Sequence, residues 1–260
     1  MRLAAISDVH GNLAALNAVL DDIAGQRVDA VLNLGDILSG PLWVAETADR
    51  LMPLDLPTIA GNHERQVLTQ VAEAMGASDR HAAERLSDRH RDWLAGLPAT
   101  LHFSAEVFCC HGTPGSDFAY FLETVMPDFA PSAGPGIRRA TLAEATQRAG
   151  DAMRGVPHAL ILCGHTHLPR RMQLADGRLV VNPGSVGLPG YDDAHPHFHL
   201  VGNGSPHARY AVLSRQRAGW QVDFRAVAYD DEAAAGLAEQ HGRGDWADAL
   251  RTGRVGRCGG

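Results

Sequence analysis

Short apolar runs that stop abruptly at a polar cluster recur along this chain. Arg2-Leu3-Ala4-Ala5-Ile6-Ser7 predicts a buried strand that delivers Asp8, His10, Gly11 and Asn12. Helical spacing follows from Leu13 to Ile23, with Leu13, Leu16, Leu20 and Ile23 on one face. Asp29–Leu34 predicts a second strand, ended by Gly35-Asp36, with a helix over Leu42–Leu51. Leu56–Ala60 predicts a third, ended by Gly61-Asn62-His63-Glu64 and followed by helix from Arg65. Three strand–loop–helix units imply an α/β architecture, whose sites gather beyond the strand C-termini.

The remainder continues the alternation. Ser78–Leu94 reads as one charged amphipathic helix, Leu86 and Trp93 inward and His81 and His90 on the solvated face. Strands are predicted around Leu101–Phe103 and Val107–Cys110, the second ending at His111-Gly112-Thr113-Pro114. The irregular run from Gly115 to Gly136 reads as part of a lid over residues 113–136; its Phe118, Tyr120 and Phe121 suit packing over the sheet and substrate contact equally. Helix is predicted from Arg138 to Met153. Ala159–Cys163 then feeds Gly164-His165-Thr166-His167, where glycine allows a tight turn and an extended i, i+2 spacing points both imidazoles into one pocket. Arg170–Leu174 and Arg178–Val181 form a hairpin about Asp176-Gly177. The turn Asn182-Pro183-Gly184-Ser185 is expected to back up the site without supplying ligands.

His195-Pro196-His197-Phe198-His199 follows Asp192-Asp193 with no strand delivering it, and reads as a solvated loop instead of a metal site. Two antiparallel strands, Arg209–Leu213 and Trp220–Tyr229, precede a helix over Glu232–Leu250 weakened by Gly242 and Gly244. With no repeat and no linker, a single domain over 1–250 and a mobile tail over 251–260 are expected.

Composition narrows the function classes. An apolar share of 45% over 260 residues supports a sizeable core. A net charge of -7 without a dense Lys/Arg run argues against duplex nucleic acid as a partner. No basic n-region with a long apolar core opens the chain and no window approaches a membrane span, so a cytoplasmic location away from membranes is expected. Cys109, Cys110 and Cys163 lie in apolar runs and Cys258 in the tail, which is neither a disulfide framework nor a CxxC pattern.

Collected, the strand-end groups are Asp8, His10, Asp36, Asn62, His111, His165 and His167, with His63 beside them. Helix capping could account for Asp8 or Asn12 but not for His10. Seven donors exceed the needs of one ion. Two ions, roughly 3.5–4 Å apart in two-metal hydrolases, need a bridging carboxylate, and Asp36 is the central lone Asp. Mixed imidazole and carboxylate donors favour Mn, Fe, Zn, Ni or Co, with Mn favoured. A hydroxide held between such ions would stay nucleophilic near neutral pH, because metals lower the pKa of bound water. His63 would protonate the leaving oxygen, or else serve as a prop behind the ligands.

The order Asp-x-His, Gly-Asp, Gly-Asn-His-Glu, His-Gly, Gly-His-Thr-His resembles the calcineurin-like metallophosphoesterase superfamily, and Asp8–Asn12 with Asn182–Gly187 look most like its small bacterial YfcE-type branch. The resemblance implies a four-layer α/β/β/α sandwich of two mixed sheets flanked by helices. It places Asp8, His10, Asp36 and His167 on one metal and Asp36, Asn62, His111 and His165 on the other. His63 matches the histidine acting on the leaving group, and in the implied reaction the hydroxide attacks phosphorus while Asn62 and the metals hold the phosphoryl oxygens. It implies a metal-dependent phosphoesterase acting on a phosphodiester or phosphomonoester, with a dinucleoside polyphosphate hydrolase, a protein Ser/Thr phosphatase and a non-catalytic scaffold as alternatives. One departure stands out: Gly35-Asp36 runs into Ile37-Leu38-Ser39-Gly40, so the Asp that partners the histidine and the phosphate-binding Arg of the Ser/Thr phosphatases are missing.

Overall fold

In the computed structural model, which describes residues 1–127 and 134–256, strand and helix alternate from the start. The first half runs β1 (Arg2–Ile6), α1 (Leu13–Ala24), β2 (Ala30–Asn33), α2 (Val44–Leu51), α3 (Asn62–Thr69), α4 (Ala77–Ala83), α5 (Asp88–Ala95), β3 (Thr100–His102) and β4 (Val107–Cys110). Then come β5 (Glu123–Val125), β6 (Ile137–Arg139), α6 (Leu142–Ala149), β7 (Leu160–Leu162), β8 (Arg170–Gln173), β9 (Leu179–Asn182), β10 (Gly190–Asp193) and β11 (His199–Gly202). The chain closes with β12 (Ala208–Gln216), β13 (Gly219–Val227), α7 (Asp231–Gln240) and α8 (Gly244–Thr252).

Two mixed sheets face each other, ordered β13-β12-β1-β2 and β3-β4-β7-β9-β8. The pairs β1–β2, β4–β7 and β7–β9 are parallel and their neighbours antiparallel. Strand alternation then assigns each apolar side chain to a layer. Leu3 and Ala5 of β1 meet Val107, Cys109, Leu160 and Val181 of the other sheet in the central core. Ala4 and Ile6 face the opposite way, onto Leu16 and Val19 of α1 and Ala48 of α2. On the far side Phe108, Cys110 and Ile161 pack against Ala145 and Ala149 of α6. The order of layers is helix, sheet, sheet, helix, and each buried Leu or Ile contributes about 1.5–3 kcal/mol to holding them. Among the described residues no helix is long and apolar enough to cross a membrane.

Several predicted elements differ. Leu56–Ala60 is not a strand but a loop joined to β2 by the single bridge Asn33–Thr58, because Pro57 has no N–H to give a ladder. The helix predicted over Ser78–Leu94 is broken into α4 and α5 where Ser87 caps the second, accepting from the His90 N–H. His90 is buried against Asp49 instead of solvated. Arg138 and Arg139 lie in β6, paired with β5, and helix begins only after Thr141 caps it. Gly242, at φ 73°, splits the C-terminal helix into α7 and α8. The first two residues of the expected tail, Arg251 and Thr252, complete α8. Residues 128–133 of the expected lid, and Cys258, lie outside the described residues.

Candidate metal centre

Asp8 follows β1, Asp36 follows β2, His111 follows β4 and His165 follows β7, so the loops beyond four parallel strands converge at one edge of the two sheets. Their backbone is strained there. Asp8, His10, Asp36, His165 and His167 all take positive φ, between 51° and 70°. Non-glycine residues hold that region at a cost of order 1–3 kcal/mol each, a cost that persists where function requires the geometry. Gly164–His167 is therefore not extended as expected. The two imidazoles separate: Asp8, His10 and His167 form one buried group and Asp36, His111 and His165 another, the ligand atoms within each lying within 4.8 Å of one another. Gly164 does not need positive φ; it is glycine because a Cβ there would run into Ser7 Oγ and Asp8.

Hydrogen bonds fix which ring nitrogen each histidine offers. Nδ1 of His10, His111 and His167 donates to the carbonyls of Ser39, Leu34 and Leu188 at 2.7, 2.7 and 2.8 Å. A carbonyl only accepts, so Nδ1 carries a proton in each and Nε2 is the ring nitrogen turned toward the site. His165 is reversed: its Nε2 donates to Phe118 O at 2.9 Å, leaving Nδ1 free. His10 Nε2 and His167 Nε2 consequently face each other at 3.1 Å. Asp8 Oδ1 lies 3.5 Å from His167 Nε2, and Asp36 Oδ2 lies 2.9 Å from His111 Nε2. Asp8 Oδ2 and Asn62 Oδ1 are buried without a hydrogen-bond partner. Orphaned acceptors beside converging ring nitrogens are what a cation site presents.

Titration behaviour agrees. Burial and the neighbouring His167 pull His10 down to about 4, and burial and His111 pull His165 down to about 3, so both stay neutral donors of lone pairs. His111 goes the other way: against its burial, the carboxylates of Asp36 and Asp8 hold it up to about 10. Despite burial, Asp36 is held well below the usual carboxylate range by His111 and His63. A field that retains a proton so firmly favours a cation in the same place.

Asn62 opens α3 with its Nδ2 donating to Gln66 Oε1 at 3.2 Å. His63, its neighbour, lines the same cleft of about 410 Å³ together with His10, Asp36, His165 and His167. The partner that the Ile37-Leu38-Ser39-Gly40 segment lacks is supplied from elsewhere, which corrects the sequence expectation. His63 Nδ1 bonds Asp79 Oδ1 at 2.7 Å, and Ser39 Oγ donates to the same oxygen at 2.7 Å. Burial works against charge on His63, but Asp36 and Asp79 hold it up to about 9. Asp79 carries no local signal in the chain, since it sits on α4, sixteen positions away.

Other supports were partly visible. Asn12 caps α1, accepting from Ala15 N at 3.1 Å, while Asp8 caps nothing and turns to the site. Asn182 donates to Gly164 O at 2.6 Å and Thr166 Oγ1 at 3.0 Å, and Ser185 Oγ donates to Asp8 O at 2.8 Å, so that turn braces both ligand loops. Glu64 accepts from Asp36, Ile37 and Gly61 N–H at 2.9, 2.8 and 2.8 Å. Its position three residues past Gly61 is a helix-start signature that could have flagged it. The expected lid divides: Phe121 is buried in the core, while Phe118 is 41% exposed beside His165. His199 is buried on β11 and bonds Tyr120 at 2.8 Å, so only part of the histidine-rich segment is a solvated loop. β10–β11, a hairpin without a strong turn signal, carries it.

Comparison with known proteins follows the geometry. A family model described as the calcineurin-like phosphoesterase superfamily domain matches residues 1–202. An uncharacterized protein of Methanocaldococcus jannaschii is 26% identical over 211 residues, 72% of this chain and 76% of its own. A metallophosphoesterase of Sphaerobacter thermophilus has a similar fold, with 24% identity, 97% of this chain and 99% of its own covered, and a TM-score of 0.71. The E. coli phosphoesterase YfcE is similar over 88% of this chain and 100% of its own, at 19% identity and a TM-score of 0.43. The family and the two donor groups together indicate divalent-metal binding.

Proposed function

Because the chain belongs to the calcineurin-like phosphoesterase superfamily, we propose that it is a dinuclear metal-dependent phosphoesterase acting on small phosphodiesters or phosphomonoesters, nucleotides among them. The observation that carries this reading is the pair of buried donor groups, Asp8, His10 and His167 beside Asp36, His111 and His165, with Asp8 Oδ2 and Asn62 Oδ1 left without a hydrogen-bond partner. Asp8, His10, Asp36 and His167 would hold one ion, and Asp36, Asn62, His111 and His165 the other, with Asp36 bridging; manganese is the favoured metal. Bound there, the ions supply Lewis acidity toward phosphoryl oxygens and a water of lowered pKa.

The protein's own groups do the rest. Backbone carbonyls orient three ring nitrogens before any substrate arrives, so no reorganisation is needed during the reaction. His63 points Nε2 into the cleft while Asp79 holds Nδ1, and a charged imidazole so fixed can deliver a proton to the departing oxygen. The complete donor set argues against a non-catalytic scaffold. The test is a product-resolved screen of the manganese-loaded protein on bis(p-nitrophenyl) phosphate, p-nitrophenyl phosphate, cyclic nucleotides, dinucleoside polyphosphates and phosphopeptides. Turnover of a small ester, abolished by His10→Ala, supports the reading; no turnover of any of them overturns it.

A further inference from the structure

One wall of the cleft comes from α8, beyond residue 202 where the family match ends. Trp246 sets its ring 5.9 Å from that of His10, nearly perpendicular at 82°. Over the same indole lies the Arg243 guanidinium, 5.6 Å from the ring centroid. Arg243 is thus one indole removed from the ligand groups. Its Nε and Nη2 donate to Asp245 at 2.9 and 2.6 Å, and its Nη1 to Ser78 Oγ at 2.9 Å. A guanidinium has five N–H donors, so two remain for a ligand, and the fork is oriented before the ligand arrives. Among the described residues lining the cleft, Arg243 is the single Arg or Lys. The Gly35–Gly40 segment supplies no cation, as its sequence requires.

We propose that Arg243 recognises a second phosphate of the substrate, one lying beyond the phosphoryl group that reacts, and so selects nucleotides that carry two phosphates. The inference rests on the phosphoesterase reading above. The Trp246 platform keeps the guanidinium from swinging away, because cation–π contact and the Asp245 fork act on the same group.

The test is equilibrium titration of the full-length manganese-loaded protein with adenosine 5′-monophosphate and with adenosine 3′,5′-bisphosphate, a measurement independent of turnover. The wild type is expected to bind the bisphosphate about tenfold or more tightly than the monophosphate. Arg243→Met should remove that preference while changing monophosphate affinity by less than about twofold, and Arg243→Lys, which keeps the charge but not the fork, should lie between. Equal affinity of the wild type for the two nucleotides, or equal weakening of both by Arg243→Met in a variant that still binds metal and melts normally, overturns the proposal. Should Arg243→Met not fold, Arg243→Lys decides: an undiminished preference overturns it. Failure of the phosphoesterase reading would appear separately, as absent turnover in the substrate screen.

Discussion

Replacing Glu64 by Gln tests whether the ligand loops are held from behind. The Glu64 carboxylate is 2% exposed and accepts three backbone N–H groups, Asp36 and Gly61 on one oxygen and Ile37 on the other. A Gln amide keeps one oxygen and sets an NH2 against a remaining donor. The better orientation strands Ile37 N–H, at about 1–3 kcal/mol, and weakens the other two bonds by about 1 kcal/mol each as their acceptor loses its charge. Burial and the nearby Asp36 carboxylate raise the Glu64 pKa, so loss of the charge also relieves a repulsion. Those losses come to about 3–5 kcal/mol, and the relieved repulsion offsets part of them, leaving about 2–3 kcal/mol. Urea unfolding of the metal-free protein reads that loss directly as a fall in midpoint at constant slope. Because Asp36 and Asn62 sit on the two loops that Glu64 joins, metal affinity should fall by about 10–100-fold as well. A stability change below about 0.5 kcal/mol with unchanged metal affinity would refute the reasoning.

Three further outcomes are expected. His63→Ala should lower kcat by about 10²–10⁴ while both ions stay bound by elemental analysis; loss of metal instead would make His63 a prop. Chelation should lower the melting temperature, since ions at a hundredfold excess over Kd contribute about 2.7 kcal/mol per site, roughly 5–10 °C for a chain of this size; an unchanged transition contradicts metal binding to the native state. Gly61→Ala would put a Cβ onto Asp36 Oδ1 and should cost metal occupancy at both groups; full occupancy would show that Asp36 does not need its observed position.

Six of the candidate donors were legible because they stand just beyond strands whose apolar runs end sharply, as Asp8 does beyond β1 and His165 beyond β7, whereas Asn62 follows the Leu56–Ala60 loop. Chemistry-bearing residues at strand ends are a local pattern, and local patterns survive in sequence. What was not legible depends on long-range placement. Asp79 reaches His63 from a separate helix, and Arg243 enters the cleft from the far end of the chain. The positive φ of the ligand residues was also hidden, since none of them is a glycine. Periodicity misjudged short elements where one residue changes the outcome: Ser87 restarts a helix, Gly242 breaks one, Pro57 denies a strand its ladder, and Thr141 marks where β6 gives way to α6. The four-layer order, by contrast, followed from the family resemblance, and Ala4 and Ala5 facing opposite layers shows how β1 realises it.

Two ions are expected to occupy the two donor groups. Anomalous diffraction from crystals of the manganese-loaded protein tests it most directly. Two peaks roughly 3.5–4 Å apart are predicted, one among Asp8, His10 and His167 and the other among Asp36, His111 and His165, with Asp36 touching both. A single peak, or two peaks that share no carboxylate, would contradict it.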